Sequence, residues 1–463
     1  MRLIMYLKGL SISMILVIIS LLSCSNLSAQ TSVRSWTLKE CIQYAMDNNI
    51  QIKRQELQSL IADKNYKQSR FELLPNMNVG FEHIYSSGRS LNQELYQWEN
   101  RNQQQGSMGV RSEVTVFNGL QNLNSIKQQK YNLKSALEDL EKAKNDISIY
   151  IATAYLQILL DQELLNVAKN QLEVTMVQVD KTETLVKVGN VSKGTLLEIK
   201  AQAASEKLNI IQRNNQLRIS KLTLVQLLDL ENPEEFSIVI PKNLSIENQP
   251  AVVLTDSVFN YAVINMPEVK SAEYMLQSQK KALAITRGRR SPELYLSGLY
   301  YSRYNENAIN PLDPDPLNPS INYSLDNQLK DNQYKQITLG LSIPIFNKLR
   351  IHRDISIAKV NMLDAQYNLK QSKQNLYKNI QQAYSDAVSA LEKYYSSYDA
   401  VKSMQEAFDY TSEKFDVGLS SSIDYSIAKN NLSKTQSDLL QAKYEYLLRL
   451  KILDFYHGEE ITF

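Results

Sequence analysis

The sequence repeats one long spacing in its two halves. A Phe-Asn pair at 117–118 is followed by Val188-Gly189, and a second Phe-Asn pair at 346–347 is followed by Val417-Gly418. Subtracting the residue numbers gives 72 positions from the first phenylalanine to Gly189, and again 72 from the second to Gly418. A matched spacing of this length predicts an internal duplication, so the fold is expected to contain two similar units.

Each 72-position segment has the pattern of one uninterrupted helix. Apolar residues recur at alternating steps of four and three, as at Leu133, Leu137 and Leu140, which brings them to one side of a helix. At a rise of 1.5 Å per residue, such a helix is about 100 Å long. The scarcity of glycine and proline, with 13 and 11 residues, also favours long helices over many short elements.

Shorter helical stretches complete the pattern. We expect them over residues 36–73 and 256–290 before the strands, and over 192–230 and 421–457 after the glycines. Two of these stretches placed end to end match one long helix, which predicts a long tube with a waist. The waist falls at 231–255, where Pro233, Pro241 and Pro250 interrupt the helical pattern. This segment is either an ordinary linker or a packed equatorial collar, because Phe236, Ile238 and Ile240 alternate like a short strand.

Four segments change to a period of two, which is typical of β-strands. They cover about 75–85, 108–117, 292–301 and 337–346, and each is about ten residues long, enough to cross a bilayer when tilted. A soluble sandwich has the same alternation. Four strands cannot close a barrel, so a membrane location requires several copies of the chain. The polar connection at 305–333 is either an outer loop of such a barrel or a disordered segment.

The N-terminus favours the membrane location over the soluble sandwich. Arg2 and Lys8 precede an apolar run from Gly9 to Leu22, followed by small and polar residues, which predicts a signal peptide over 1–29 and export. Cleavage after Ala29 is favoured, although Leu21-Leu22-Ser23-Cys24 also resembles a lipoprotein box with lipidation at Cys24. The exported chain then keeps at most Cys24, used as a lipid attachment, and Cys41, which excludes an intramolecular disulfide framework. No later apolar run is long enough for a spanning helix.

Composition argues against several classes of function. The counts of 51 basic and 49 acidic residues are nearly equal, whereas nucleic-acid binding requires a concentrated basic face. The three histidines, at 83, 352 and 457, lie far apart, and none belongs to a metal-spaced or nucleophile-bearing motif. No glycine-rich phosphate loop is present either. We therefore predict no catalytic residues, no metal site and no cofactor.

Together these marks resemble the TolC-like outer-membrane efflux protein family over nearly the whole exported chain. The resemblance rests on Trp36-Thr37-Leu38 with Ala45, the two Phe-Asn strand ends and the two Val-Gly turns. It implies a mainly α fold with membrane β-structure: a homotrimer whose twelve-stranded outer-membrane barrel continues as a coiled-coil tunnel across the periplasm. The first repeat would cover 36–230, the equatorial linker 231–255 and the second repeat 256–457.

The implied function is that of the outer-membrane channel of a tripartite efflux or type I secretion system. The chain would be a passive exit duct in outer-membrane lipid, docked to a periplasmic adaptor and an inner-membrane pump. An exported coiled-coil scaffold without channel activity is the alternative, because the strands alone could also form a soluble cap.

The resemblance also assigns site residues. The turns near 189 and 418 correspond to the family's adaptor-docking tips, formed here by Val188, Gly189, Ser192, Val417, Gly418, Leu419 and Ser421. Asp424, six positions after Gly418, falls where similar channels carry an acidic pore constriction. Plain turn geometry is the competing explanation, because glycine ends a helix, serine caps the next one, and a first-turn carboxylate favours the helix dipole. The second acidic position of some relatives is Ile427 here, with Thr195 and Glu198 in the first repeat, which argues against a double carboxylate ring.

Overall fold

A computed structural model describes residues 34–92, 96–230, 236–241, 246, 255–314 and 320–461. The predicted signal peptide and Cys24 lie outside the described residues. The elements of the first half, in chain order, are β1 (Arg34–Trp36), α1 (Leu38–Asn48), α2 (Ile50–Phe71), β2 (Asn76–Asn92), β3 (Gln97–Phe117), α3 (Gln121–Lys187) and α4 (Lys193–Leu228).

The second half repeats this order with one additional short helix. Its elements are β4 (Phe236–Ile238), α5 (Thr255–Asn265), α6 (Pro267–Gly288), β5 (Glu293–Asn305), α7 (Leu325–Asp331), β6 (Tyr334–Ser342), α8 (Arg350–Asp416) and α9 (Ser422–His457). The long helices α3 and α8 both contain 67 residues, and α4 and α9 both contain 36. The structure therefore confirms the duplicated, mainly helical fold. In the part of the chain that it describes, no helix is both long and apolar enough to cross a membrane.

The helical stretches before the strands are each broken once, which the sequence pattern did not predict. Helix α1 ends before Asn49, whose side-chain Oδ1 accepts hydrogen bonds from the backbone N–H of Gln51 (2.9 Å) and Ile52 (3.3 Å) and so starts α2. In the second half, α6 starts with Pro267 at its first position, where the missing N–H costs nothing. Each predicted stretch is thus a helix of 11 residues followed by one of 22.

The four long strands form one antiparallel sheet in the order β2-β3-β5-β6. The predicted strand ends were partly wrong. Strands β2 and β3 extend well beyond 85 and before 108, pairing as far as Asn92 with Gln97. Their outer parts are polar, so alternation could not reveal them. Strand β6 ends at Ser342 instead of 346, and Pro344, which lacks a backbone donor, follows closely.

One face of this sheet is apolar and uncovered within the chain. The pairing register places the following side chains on that face: Met77, Val79, Phe81, Met108, Val110, Val114, Leu296, Ile337, Leu339 and Leu341. Val79, Phe81 and Ile337 are among the most exposed large apolar residues of the chain. The opposite face carries Glu82, Arg111 and Arg303. A sheet with these two faces separates an apolar environment from a polar one.

The described parts of the 305–333 connection are structured, not disordered. Asp313 Oδ2 accepts the backbone N–H of Ser320 and Ile321, both at 2.6 Å. The side chain of Gln328, on α7, accepts the backbone N–H of Asn305 at 2.8 Å. Because β6 pairs with β5 only as far as Tyr301, Gln328 satisfies a donor on a part of β5 that β6 leaves unpaired.

The largest apolar core lies where the chain crosses between its halves. Strands β1 and β4 pair in parallel, and Trp36, Phe236 and Tyr155 are buried together there. The Tyr155 hydroxyl donates to the Val239 carbonyl at 2.5 Å. Of the predicted 231–255 linker, the described strand β4 is therefore packed into the core. Cys41 is buried in the same core, and this burial raises the pKa of its thiol to about 12.

Candidate functional site

The candidate site is the pair of turns that join α3 to α4 and α8 to α9. Gly189 has φ of 80° and Gly418 has φ of 77°, the left-handed conformation that ends helices. The backbone N–H of Asn190 donates to the Leu185 carbonyl (3.0 Å), and that of Leu419 to the Lys414 carbonyl (2.8 Å). A Cβ placed on either glycine would meet no atom of the chain within 4 Å. The glycines are thus required for their backbone conformation and not for tight packing.

Two serines cap the helices that follow these turns. Ser192 Oγ accepts the backbone N–H of Thr195 at 3.2 Å, and Ser421 Oγ accepts that of Asp424 at 3.1 Å. Only the second turn forms a reciprocal capping box, because Asp424 Oδ2 accepts from the Ser421 hydroxyl at 2.7 Å and from its backbone N–H at 3.3 Å. The first repeat has Thr195 at this position and so lacks the carboxylate.

These hydrogen bonds favour the charged form of Asp424. Donation from the Ser421 hydroxyl, and then from the Ser421 backbone, lowers the pKa of the Asp424 carboxyl below its ordinary value. The side chain is exposed, so the negative charge of Asp424 meets solvent at neutral pH. Ile427, one helical turn further along α9, is also exposed and carries no charge.

The turns also expose apolar side chains. Val188, Val417 and Leu419 lie at the surface, with exposed fractions between 64% and 78%. Ile423, at the start of α9, is exposed as well. Apolar residues clustered at the end of long polar helices are typical of a protein-docking surface. The structure thus places the predicted tip residues together at the far end of the two helical hairpins, where α3 meets α4 and α8 meets α9.

The two hairpins are tied to one another near these turns. The Ser422 hydroxyl donates to the Glu198 carboxylate, which joins α9 to α4. Lys181 Nζ lies 2.6 Å from Asp416 Oδ1, which joins α3 to α8. Glu198, the carboxylate considered above for the first repeat, is therefore engaged between the hairpins.

A buried ion pair lies further along the same junction and was not predicted from the sequence. Lys429 Nζ of α9 lies 3.1 Å from Glu206 Oε1 of α4, and both side chains are only 5% exposed. Lys429 also donates to the Gln171 carbonyl at 2.6 Å and to the Thr175 hydroxyl of α3. Burial lowers the pKa of Lys429, whereas the charge of Glu206 opposes that shift. A signal did exist, because Lys429 lies in phase with the apolar residues Tyr425 and Leu432 on the buried face of α9.

Metal chemistry finds no support in the described part of the chain. No group of three or more His, Cys, Asp or Glu side chains there is arranged to hold a metal ion. His83 instead contacts the Tyr304 hydroxyl on the sheet, where the tyrosine ring lies against Gly106 of the intervening strand.

Comparison with known proteins identifies the family. The sequence profile of the outer membrane efflux protein family matches residues 41–229 and 258–459. The chain belongs to this family. The two matched ranges coincide with the two halves of the fold and leave out the equatorial segment 231–255 between them.

Solved structures of channel proteins have the same fold. The crystal structure of CusC, described in terms of transmembrane channel formation, aligns with a TM-score of 0.77 at 16% identity, covering 94% of this chain and 95% of CusC. The Campylobacter jejuni CmeC outer membrane channel aligns with a TM-score of 0.77 at 18% identity, covering 92% and 87% of the two chains. An uncharacterized protein of Haemophilus influenzae is 21% identical over 358 residues, covering 74% of this chain and 70% of that protein.

Family membership confirms the resemblance and the location predicted from the sequence. The protein is an outer-membrane efflux channel component, with its sheet in the outer membrane and its helices extending through the periplasm. Members of this family are channels and not enzymes. The sheet of one chain has two open edges, at β2 and β6, so a single copy does not close a barrel.

Proposed function

We propose that three copies of this chain form the exit duct of a tripartite efflux or type I secretion system. Each copy contributes a four-stranded sheet with free edges, and three copies give twelve strands, within the range of closed outer-membrane barrels. Closure removes the open edges, which cannot remain unpaired in lipid. The helices of each copy continue the barrel as one third of a periplasmic tunnel.

The two turns are proposed to bind a periplasmic adaptor protein. The observation that carries this proposal is the set of exposed apolar side chains at Val188, Val417 and Leu419, at the ends of two matched helical hairpins. Gly189, Gly418, Ser192 and Ser421 fix the shape of these turns. The adaptor links the duct to an inner-membrane pump, which supplies the energy, and the duct itself remains passive.

Asp424 is proposed to form a ring of single carboxylates at the periplasmic entrance. Its exposure and its lowered pKa support this role, since the carboxylate stays charged at neutral pH. Glu198 and Asp424 both accept from a serine hydroxyl, but Glu198 is bound to the other hairpin whereas Asp424 is bound within its own turn. Ile427 is apolar, so Asp424 is the carboxylate that we assign to the ring. Such a ring favours cations, and single-channel conductance measures that preference directly.

Adaptor binding is tested by co-purification from cross-linked native membranes. We expect Leu419→Asp, with or without Val188→Asp, to lower adaptor recovery at least tenfold, which corresponds to about 1.4 kcal/mol. Leu312→Asp provides a matched control, because Leu312 is equally exposed but lies in the connection between β5 and β6. Unchanged adaptor recovery with Leu419→Asp would contradict the docking role. Recovery of the protein in the soluble periplasm would instead favour the coiled-coil scaffold.

A further inference from the structure

We propose that one exposed face of α2 is covered in the assembled channel by helix α8 of a second copy of this chain. In this contact Arg54 pairs with Asp364 of the other copy, and Leu57 packs between its Val360 and Leu363. The inference rests on the proposed assembly of several copies, and it goes further by assigning the register of the contact between them.

The argument starts from the correspondence between the two repeats. Helices α2 and α6 begin at Ile50 and Pro267, and strands β2 and β5 at Asn76 and Glu293, so equivalent positions differ by 217 in both cases. Helices α3 and α8 begin at Gln121 and Arg350, and α4 and α9 at Lys193 and Ser422, so equivalent positions there differ by 229. The lengths of each helix pair are identical, so no insertion disturbs this correspondence.

Burial supports the same correspondence. Ala45 and Ala262 are equivalent under the first offset, as are Ile52 and Val269, and all four are buried. Under the second offset, Ile147 is equivalent to Leu376 and Ile151 to Ile380, and these four are buried as well. Equivalent positions thus occupy equivalent environments in the core.

Within the chain, α6 packs closely on α3. The Ser271 hydroxyl donates to Asp139 Oδ1 at 2.6 Å and lies 2.9 Å from Ser135 Oγ. One turn further along α6, the ring of Tyr274 stacks on Tyr131 with a centroid distance of 6.4 Å. Lys134 Nζ lies 5.0 Å from the centre of the Tyr274 ring. The serines are buried, so α6 and α3 share a covered interface.

The equivalent interface between α2 and α8 is not formed within one chain. Helix α2 packs on α3, α3 on α6 and α6 on α8, where Lys373 Nζ lies 3.0 Å from Glu273 Oε1. Among the residues that the structure describes, this order leaves one side of α2 and one side of α8 without a neighbouring helix. Placing the copies in a ring brings these two free sides together, and their contact then repeats the packing of α6 on α3.

The side chains on these two free sides are exposed although their equivalents are covered. The residues of α2 that are equivalent to Ser271 and Tyr274 of α6 are Arg54 and Leu57. The residues of α8 that are equivalent to Tyr131, Lys134, Ser135 and Asp139 of α3 are, in the same order, Val360, Leu363, Asp364 and Asn368. The three apolar replacements have exposed fractions between 41% and 63%. Arg54, Asp364 and Asn368 are exposed as well.

The replacements on the two helices are chemically complementary. In the contact between α6 and α3, a serine of α6 meets a serine and an aspartate of α3. In the proposed contact, Arg54 of α2 meets Asp364 and Asn368 of α8, so that Arg54 and Asp364 form an ion pair beside the polar Asn368. Where α6 and α3 have two tyrosines and a lysine, α2 and α8 have three aliphatic side chains. A shift of the neighbouring α8 by seven residues in either direction would place Leu57 against Arg353 and Ser356 or against Tyr367 and Lys370, so the complementarity favours this register over those one heptad away.

The register is tested by thiol cross-linking of the full-length protein in native membranes. We expect the pair Leu57→Cys with Val360→Cys, treated with a short bifunctional thiol reagent, to give dimers and trimers at least tenfold above either single variant. Tyr274→Cys with Tyr131→Cys is the matched control, because these equivalent positions meet within one chain and should give only intramolecular products. Cys41 remains in all variants, since it is buried and its raised pKa keeps the thiol protonated.

A charge exchange provides the second test. We expect Arg54→Glu and Asp364→Arg each to reduce the fraction of native trimer by at least tenfold, and the double variant to restore it. Intact trimers without cross-linking at Leu57 and Val360, or without rescue by the double variant, would overturn the proposed register while leaving the channel assembly standing. Absence of any trimer in the wild-type protein would instead contradict the proposed function.

Discussion

The two repeats of this protein agree in their helices and differ in their strands. The paired helices have identical lengths of 67, 36, 22 and 11 residues, whereas the strands have 17 and 21 residues in the first half but 13 and 9 in the second. Helices that lie side by side in a tunnel wall must end at the same level. Among the described strands, the outer ends of β2 and β3 pair only with each other, so the lengths of these two strands can differ from those of β5 and β6.

The repeats also use the same position in different ways. Lys429 on α9 is buried against Glu206. Its equivalent on α4 is Lys200, whose side chain is 46% exposed and whose Nζ lies 3.6 Å from Glu183 Oε2. The difference arises because α9 packs on the first hairpin within the chain, whereas the described residues leave the corresponding face of α4 exposed at Lys200. The comparison teaches that one sequence position can carry a buried ion pair or a surface one, depending on what covers it.

The largest expected effect concerns these two ion pairs. Glu206→Gln keeps the shape of the side chain but leaves Lys429 buried without its counter-charge, so we expect the free energy of unfolding to fall by about 3–5 kcal/mol. Glu183→Gln is the matched control in the first repeat, with an expected loss of about 0–1 kcal/mol, as for exposed pairs. Chemical denaturation of the detergent-solubilised protein measures both.

A combined variant separates the charge from the packing. Lys429→Met with Glu206→Leu removes both buried charges, and we expect it to recover most of the stability that Glu206→Gln loses. Equal losses for Glu206→Gln and Glu183→Gln would contradict the assigned difference between the two junctions.

An intermediate effect is expected at the serine caps. Ser192→Ala and Ser421→Ala should each cost about 1 kcal/mol at pH 7, because each removes one N-cap hydrogen bond. Only the stability loss caused by Ser421→Ala should change with pH in the acid range. Asp424 has a lowered folded-state pKa, so its contribution is complete above about pH 4 and is lost as pH falls through that lower value.

The measurement compares the two alanine variants with the wild-type protein over a series of pH values. The difference between Ser421→Ala and wild type should shrink in acid, whereas the difference for Ser192→Ala should stay constant. A shared pH dependence would show that the capping box of the second turn is not its cause.

The smallest effect on stability is expected from exchanging Asp424 or Thr195, which lie three positions after the capping serines. These exchanges should instead change transport directly. Asp424→Asn should reduce the cation preference of the reconstituted channel, and Thr195→Asp should increase it by adding a carboxylate at the equivalent position. Reversal potentials across a salt gradient measure this preference. If Asp424→Asn left the cation preference and the block by multivalent cations unchanged, the proposed role of Asp424 in the pore would be contradicted.

Much of the fold followed from the sequence, because it depends on spacing and periodicity. The equal distances of 72 positions ending at Gly189 and Gly418 predicted one long helix in each half, and alternation predicted the four sheet strands. The break at Asn49 was missed because one residue that caps a new helix hardly disturbs a helical pattern. The outer parts of β2 and β3 were missed because their polar residues are held by backbone pairing, which leaves no hydrophobic signal.

The candidate site was predicted in part. The residues of the two turns were identified from the sequence, because glycine and serine carry recognisable helix-end signals. The ties between the hairpins at Ser422 and Glu198, and the burial of Lys429, were not identified. These contacts join residues more than 200 positions apart. The helical phase of Lys429 places it on the buried face of α9, but no local pattern identifies its partner.

The sequence alone thus determined the duplication, the approximate length of the two long helices and the position of the turns, since each depends on local spacing along the chain. Only the tertiary structure decided which faces those helices cover. It placed α6 between α3 and α8, buried Lys429 against Glu206, and left the Arg54 and Asp364 faces open. The physical reason is that burial is a property of neighbours, and the two repeats, although built alike, have different neighbours within one chain.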